Sequence, residues 1–215
     1  MHGALILLID NFDSFTHNLQ DYLLRSYAEV LTVRYNELPG FDWKSTPLTG
    51  VVISPGPGHP LQYPMLFDVL ENFSGKVPIL GVCLGHQTIG VHYGARLTKA
   101  KKPMHGKVSS MKHCETGLYR DVLTPTDVTR YHSLVLDQLP NCLLETGSTL
   151  EGEIMSLVHK TEPIWGLQYH PEAFLTKNGE RIIENFTSIV SNYRGRNSSD
   201  EIANPHHLPK KEICW

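Results

Sequence analysis

The sequence has few cysteines, no long apolar run and no excess of one charge, and each shortage excludes a class of protein. The longest apolar run, residues 4–9, is far shorter than the roughly 20 residues that cross a bilayer, and it lacks the charged start and cleavage site of a signal peptide. No Cys-x-x-Cys pair is present, so neither a zinc site nor a disulfide framework is predicted; the cysteines are Cys83, Cys114, Cys142 and Cys214. We therefore expect a cytoplasmic protein without a metal site.

Charge and composition indicate an ordinary globular chain of about one domain. The 215 residues carry 19 Lys and Arg against 22 Asp and Glu, which gives a net charge of −3 with histidine neutral and leaves no basic stripe for phosphate backbones. Hydrophobic residues make up 40% of the chain, enough for a complete core. The expected partners are small molecules or another protein, with no role for nucleic acid or membrane.

The first half of the sequence alternates between strand and helix patterns. Short apolar runs at residues 4–9, 30–35, 50–54 and 77–82 predict buried parallel strands. Helical spacing at 16–27 and 66–73 predicts helices between them, with Asp13 or Ser14 as the N-cap of the first and a further helix beginning near Gly85. This pattern predicts an α/β fold with an open, mostly parallel sheet flanked by helices.

The second half of the sequence is rich in β-like runs and poor in helical periodicity. Such runs occur at 107–111, 143–146, 154–159 and 164–169, and an amphipathic helix is predicted at 178–193. Beyond it the chain is polar and without periodicity. We therefore expect one domain over residues 1–193, with a β-rich second half of mixed strand direction, and a C-terminal tail or linker over 194–215.

Cys83 lies in the segment GVCLG at 81–85, where a buried strand meets a helix. The form Gly-x-nucleophile-x-Gly is typical of a sharp turn that exposes a reactive side chain, and the small residues let strand and helix approach closely. A cysteine at a helix N-terminus also lies at the positive end of the helix dipole, which favours the thiolate. The alternative interpretation is a buried structural cysteine in a glycine-rich turn.

His170 and Glu172 end the segment GLQYHPE at 166–172. Residues two apart in an extended chain point to the same face, so the carboxylate of Glu172 is placed to orient the imidazole of His170. The two residues would supply a base and its orienting group for Cys83. Taken alone, the pair is as easily a surface histidine beside a surface glutamate.

The segment SPGPG at 54–58 follows a predicted strand and so shares the carboxyl edge of the sheet with Cys83. Proline has no N–H, so Gly56 and Gly58 are the only possible backbone donors between Pro55 and Gly58. An oxyanion hole needs such donors, and the N–H of Leu84 would be the second one. A rigid loop without a catalytic role is the alternative.

Six segments together carry a resemblance to a known family: DNFDSFT at 10–16, SPGPG at 54–58, GVCLGHQ at 81–87, HGK at 105–107, RYHSL at 130–134 and GLQYHPE at 166–172. In this order the chain resembles the class I (triad) glutamine amidotransferases, with their flavodoxin-like fold. DNFDSFT and RYHSL point within that family to the glutaminase component of anthranilate synthase or aminodeoxychorismate synthase. The likeness extends from about residue 4 to residue 193.

The resemblance implies a glutaminase with a catalytic triad of Cys83, His170 and Glu172. Cys83 would attack the side-chain amide of L-glutamine and form a γ-glutamyl thioester, which water then hydrolyses. The oxyanion hole would be formed by Gly56 and Leu84. Glutamine-binding positions follow from the same likeness; they are Gly56, Pro57, Gly58, Gln87, Ser133 and Leu134.

The resemblance also implies a partner that uses the ammonia. This partner is a chorismate-binding synthase subunit or fused domain, which gives either anthranilate for tryptophan or 4-amino-4-deoxychorismate for folate. No cofactor is expected in this chain, whereas the partner synthase is expected to need Mg²⁺. Two other interpretations stay open: a γ-glutamyl hydrolase-like cysteine hydrolase of the same fold, and a non-catalytic binding subunit. His105 and His132 are interpreted as structural, because the reaction already has its base.

Overall fold

The computed structural model describes residues 4–193, which form eleven strands and four α-helices. The strands are β1 (Leu5–Asp10), β2 (Glu29–Arg34), β3 (Gly50–Ile53), β4 (Ile79–Val82), β5 (Arg96–Lys99), β6 (Lys107–His113), β7 (Thr126–Arg130), β8 (Leu134–Asp137), β9 (Leu143–Thr149), β10 (Ile154–His159) and β11 (Ile164–Leu167). The helices are α1 (Thr16–Arg25), α2 (Pro64–Phe73), α3 (Leu84–His92) and α4 (Gly179–Asn192). The tail predicted at 194–215 lies outside the described residues.

Nine of these strands form one mixed sheet in the order β2-β1-β3-β4-β11-β10-β9-β6-β7, and β5 pairs with β8 in a separate ribbon. The five strands from β2 to β11 are parallel, and the pairs beyond β11 are antiparallel. The predicted mostly parallel first half and mixed second half are therefore confirmed. Parallel strands end at one edge, so the loops after β1, β3, β4 and β11 lie side by side.

The core fills both faces of the parallel strands, which explains their unbroken apolar runs. In β1, Ile6 and Leu8 pack on the face covered by α1 and α4, whereas Leu7 and Ile9 pack on the opposite face against α2. Among residues 4–193, no helix has the length and apolar character needed to cross a bilayer.

The start of α1 differs from the sequence prediction. The N-cap position is Phe15, and no side chain caps the helix. Asp13 instead accepts the N–H of Phe15 through its carboxylate at 2.8 Å and the N–H of Thr16 through its carbonyl at 3.2 Å. The predicted cap at Asp13 or Ser14 was wrong because Asp13 forms a tight turn one step before the helix.

Candidate active site

Cys83 occupies the sharp turn between β4 and α3. Its backbone has φ 51° and ψ −96°, a conformation that side-chain-bearing residues rarely adopt. A Cβ added at Gly85 would lie 2.5 Å from the carbonyl oxygen of Ile53, and one at Gly81 would lie 2.4 Å from the carbonyl carbon of Gly85. Both glycines are therefore required by close packing, and the predicted strained turn is present.

His170 and Glu172 lie next to each other beyond the end of β11. Their Nδ1 and Oε1 atoms are 2.8 Å apart, and each residue is 2% exposed. The sequence placed them at the end of an extended strand, but β11 stops at Leu167, so the chain turn rather than strand alternation brings them together. The backbone N–H of His170 donates to Thr129, and the Thr176 hydroxyl donates to the His170 carbonyl at 2.6 Å.

The electrostatics of His170 suit a base beside a thiol. Burial alone lowers its pKa, but the charge of Glu172, the nearby Cys83 thiol and the bond to Glu172 together hold the pKa well above its usual range. Because Nδ1 bonds to Glu172, the remaining ring nitrogen is Nε2, which has no full hydrogen bond within residues 4–193. This nitrogen is free to take up and release a proton.

Two aromatic side chains pack on the imidazole of His170, which sequence reasoning missed. The ring centroid of Phe15 lies 5.3 Å from that of His170, and the Tyr131 centroid lies 5.0 Å away. The two aromatic rings also contact each other at 5.0 Å. Both residues belong to segments that carry the family resemblance, DNFDSFT and RYHSL, which was the available signal.

The two predicted oxyanion donors lie close to each other. A Cβ added at Gly56 would lie 2.5 Å from Cδ2 of Leu84 and 2.7 Å from Cβ of Asn11, so this position needs glycine. Leu84 is the first residue of α3, where backbone N–H groups have no acceptor within the helix. The Gly56 loop is held by Asn11, whose N–H donates to Ser54 Oγ at 2.9 Å.

The predicted glutamine-binding residues divide into two groups. Pro57 and Gly58 are exposed at the tip of their loop, where the Pro57 carbonyl accepts a hydrogen bond from Tyr63. Gln87 is buried, and its Nε2 donates to the Leu134 carbonyl at 3.2 Å; Ser133 is exposed beside Leu134.

Gln168 links the glutamine-binding group to the nucleophile and was not predicted as a site residue. Its Oε1 accepts a hydrogen bond from Gln87 Nε2 at 3.2 Å, and its Nε2 lies 3.8 Å from Cys83 Sγ. The two amide hydrogens of Gln87 are thus used within the protein, and only its Oε1 is available to a ligand.

Comparison with known proteins agrees with this geometry. The family profile described as "Glutamine amidotransferase class-I" matches residues 7–190. The chain belongs to the class-I glutamine amidotransferase family.

Curated relatives narrow the family. The chain is 45% identical over 184 residues to aminodeoxychorismate synthase component 2 of Klebsiella aerogenes, with 85% of this chain and 98% of that one covered. It is 41% identical over 198 residues to anthranilate synthase component 2 of Pseudomonas aeruginosa, with 89% and 98% covered. It is 44% identical over 188 residues to the bifunctional protein TrpGD of Thermotoga maritima, with 86% of this chain but 32% of that protein covered, so it spans about a third of that relative.

A solved structure shows the same fold. The crystal structure of a GMP synthase component from Thermoplasma acidophilum matches with a TM-score of 0.80 at 26% identity, over 90% of this chain and 97% of that one. The class I glutamine amidotransferase fold expected from the sequence is therefore confirmed.

Proposed function

We propose that this chain is the glutaminase component of a chorismate-aminating synthase, which hydrolyses L-glutamine and delivers the ammonia to its partner. The observation that carries the proposal is the convergence of Cys83 on its strained turn with the buried His170–Glu172 pair. The names of the component 2 relatives support the same function.

The first half of the proposed reaction makes the thioester. His170 Nε2 takes the proton of the Cys83 thiol, and Sγ attacks the amide carbon of glutamine. The negative oxygen that forms is stabilised by the N–H groups of Gly56 and Leu84. The carbon–nitrogen bond then breaks as the imidazolium returns its proton to the leaving nitrogen, which departs as ammonia.

The second half of the reaction releases glutamate. His170 removes a proton from water, the resulting hydroxide attacks the thioester carbon, and the carbon–sulfur bond breaks. The proton returns to Sγ, so the enzyme ends as it began. Glu172 holds the imidazole in one tautomer and stabilises its charged form throughout.

Substrate binding is proposed at the group around Gln87. Its Oε1 is the acceptor left for a polar hydrogen of glutamine, while the backbone of Ser133 and Leu134 would hold the α-amino and carboxylate ends. The loop from Gly56 through Pro57 to Gly58 would close the other side.

The partner is proposed to dock around the carboxyl edge of the parallel strands. Four large apolar side chains are exposed on loops after β1, β3 and β11, which end at this edge; they are Phe12, Leu61, Phe174 and Leu175. A chorismate-binding synthase subunit or fused domain covering them would receive ammonia without its release to water, and Mg²⁺ would serve that synthase. Cys83, Cys114 and Cys142 are free thiols, which fits a cytoplasmic site of action.

The test is the Cys83→Ala variant in complex with a chorismate-binding synthase. Glutamate release from glutamine should fall to background, whereas product formation with added ammonia should persist. Cys142→Ala, which removes another free thiol, should leave both activities unchanged. Loss of the ammonia-dependent reaction together with glutaminase, or glutamine turnover by Cys83→Ala, would contradict the proposal.

The product is decided by pairing experiments. The purified chain is mixed in turn with an anthranilate synthase component and an aminodeoxychorismate synthase component, and each amination is followed with glutamine as the nitrogen source. Stimulated glutamate release with one component alone assigns that branch, and stimulation by both assigns a shared glutaminase. Glutamate release that neither component changes would favour the γ-glutamyl hydrolase interpretation.

A further inference from the structure

A buried ion pair lies in the antiparallel part of the sheet, outside the triad. Arg130 in β7 is 1% exposed and Glu153, just before β10, is 7% exposed; the guanidinium donates to the carboxylate and to Ser109 Oγ. Burial raises the pKa of Glu153, but hydrogen bonds from Arg130 and from the N–H of Lys101 lower it overall. Buried ion pairs add little net stability, so this pair invites a role beyond stability.

Arg130 fixes the state of His132. Its Nε donates to Nε2 of His132 at 3.1 Å, so the single ring proton of the neutral imidazole must be on Nδ1. Nδ1 then donates to the carbonyl of Leu134 at 2.9 Å. Burial and the charge of Arg130 lower the pKa of His132 to about 4, which keeps the ring neutral.

The segment that follows is held at three successive carbonyls. The N–H of Met104 donates to the His132 carbonyl at 2.9 Å, and the N–H of Ala100 donates to the Ser133 carbonyl at 2.8 Å. The Leu134 carbonyl accepts from both His132 and Gln87. Of these three anchors, the Leu134 carbonyl is the one that depends on side chains.

The same hydrogen bonds continue to the nucleophile. Gln87 donates to the Leu134 carbonyl and to Gln168, and the Gln168 amide nitrogen lies 3.8 Å from Cys83 Sγ. Each donor in this series has one acceptor geometry, so the orientation of the Gln87 amide depends on where the Leu134 carbonyl points. If that carbonyl turned away, Gln87 would be free to rotate and its Oε1 would no longer be presented to a ligand.

We propose that Arg130 and His132 are positioning residues for the glutamine pocket, and that they act by fixing the Leu134 carbonyl and, through it, the Gln87 and Gln168 amides. The proposal rests on the proposed glutaminase function. It predicts that loss of the His132 hydrogen bond impairs reactions that need a bound glutamine, and spares the intrinsic reactivity of Cys83.

The experiment compares two electrophiles that label Cys83. The glutamine analogue 6-diazo-5-oxo-L-norleucine must occupy the pocket, whereas iodoacetamide needs only an accessible, reactive thiol. In His132→Leu, the second-order rate of labelling by the analogue should fall about ten-fold or more, and the iodoacetamide rate should stay within about two-fold. The KM for glutamine should rise in parallel with the loss of analogue labelling.

Two amide variants sharpen the test. Asparagine at position 132 places its nitrogen near that of Nδ1 and can still donate to Leu134, whereas glutamine at this position reaches the place of Nε2 and faces Arg130. His132→Asn should therefore recover most of the analogue labelling, and His132→Gln should not. His113→Asn is the matched control, because His113 is also buried with its ring against backbone carbonyls but lies outside the series.

The outcomes separate this proposal from the proposed function. Failure of the analogue to label Cys83 in the unaltered chain would overturn the glutaminase function itself. Normal labelling there, with equal ratios of the two rates in His132→Asn, His132→Gln and His113→Asn, would overturn only the positioning role. A proportional fall of both rates in the His132 variants would mean general loss of structure and would also overturn it. If His132→Leu does not fold, the two amide variants decide the question.

Discussion

The parallel and antiparallel halves of the sheet build their parts of the site in different ways. In the parallel half, strands β1, β3 and β4 are apolar on both faces, and the backbone at their ends supplies the turn of Cys83 and the Gly56 loop. In the antiparallel half, polar and charged side chains are buried in contact with one another, as in the Arg130–Glu153 pair. Topology positions the first set of groups, and side-chain hydrogen bonds position the second.

This difference predicts different kinds of fragility. A site built from backbone turns fails when packing at the turn is disturbed, because close contacts leave no room for an added atom. A site built from buried polar contacts fails when one partner is removed, because the other partner is left unsatisfied.

The largest effect is expected where the halves meet, at Glu172. Glu172→Gln should reduce glutaminase kcat by about 10³- to 10⁴-fold, since the imidazole loses its orienting carboxylate. Steady-state glutamate release measures this, and Glu162→Gln, at a glutamate outside the site, is the matched control. Activity within ten-fold of the unaltered chain would remove Glu172 from the triad.

The same variant has a defined pH signature. The folded-state pKa of His170 lies well above the usual value of about 6.5, so the charged pair stabilises the fold fully below that value and less as the pH rises through the raised pKa. The difference in unfolding free energy between the unaltered chain and Glu172→Gln should therefore be larger at about pH 6 than at about pH 10. Urea unfolding at the two pH values tests the sign.

The next largest effect is expected in the antiparallel half, at Arg130. Arg130→Ala should lower the free energy of unfolding by about 3–5 kcal/mol, because Glu153 would keep a buried charge without a partner. The double variant Arg130→Met with Glu153→Gln should recover much of this loss. Urea unfolding compares the three proteins, and a loss below about 1 kcal/mol in Arg130→Ala would break the contrast between the halves.

A smaller effect is expected in the parallel half, at Gly85. Gly85→Ala should cost about 1–3 kcal/mol, because the added Cβ would press on the backbone of Ile53. Gly40→Ala is the matched control, since a Cβ there meets nothing within 4 Å and should be neutral or slightly stabilising. Thermal unfolding of both variants checks the prediction, and equal stability would show that the turn has room to relax.

The smallest effect is expected from an ion pair on the surface of the antiparallel half. Lys177 and Asp127 are 2.8 Å apart, with side chains 69% and 36% exposed. Lys177→Met should change the free energy of unfolding by about 1 kcal/mol or less. A loss comparable to that of Arg130→Ala would mean that charge pairing rather than burial sets the behaviour of this half.

The parallel half was largely predictable from the sequence. Continuous apolar runs and helical spacing identified β1 to β4 and α1 to α3, and the glycines around Cys83 identified the turn. These signals are local in the chain, because each strand buries both faces whatever its neighbours are. The exception was the cap of α1, where Asp13 had two possible uses and the sequence did not distinguish them.

The antiparallel half was less predictable, since its strands bury polar side chains whose partners are distant in the chain. The sequence predicted neither β5 nor β8, which are short, nor β7, in which Val128 is the one fully buried apolar residue and Arg130 is buried with Glu153, 23 residues away. Gln168 was missed as a site residue for the same reason, because its contacts with Gln87 and Cys83 join segments more than 80 residues apart.

The backbone conformation of Cys83 sets folding and chemistry against each other at a single residue. A positive φ costs about 1–3 kcal/mol for a residue with a side chain, and glycine would relieve that strain. A library of this chain selected only for heat resistance should therefore accumulate glycine at position 83 and lose its nucleophile. Thermostabilising the enzyme for practical use requires that this one position be withheld from the selection.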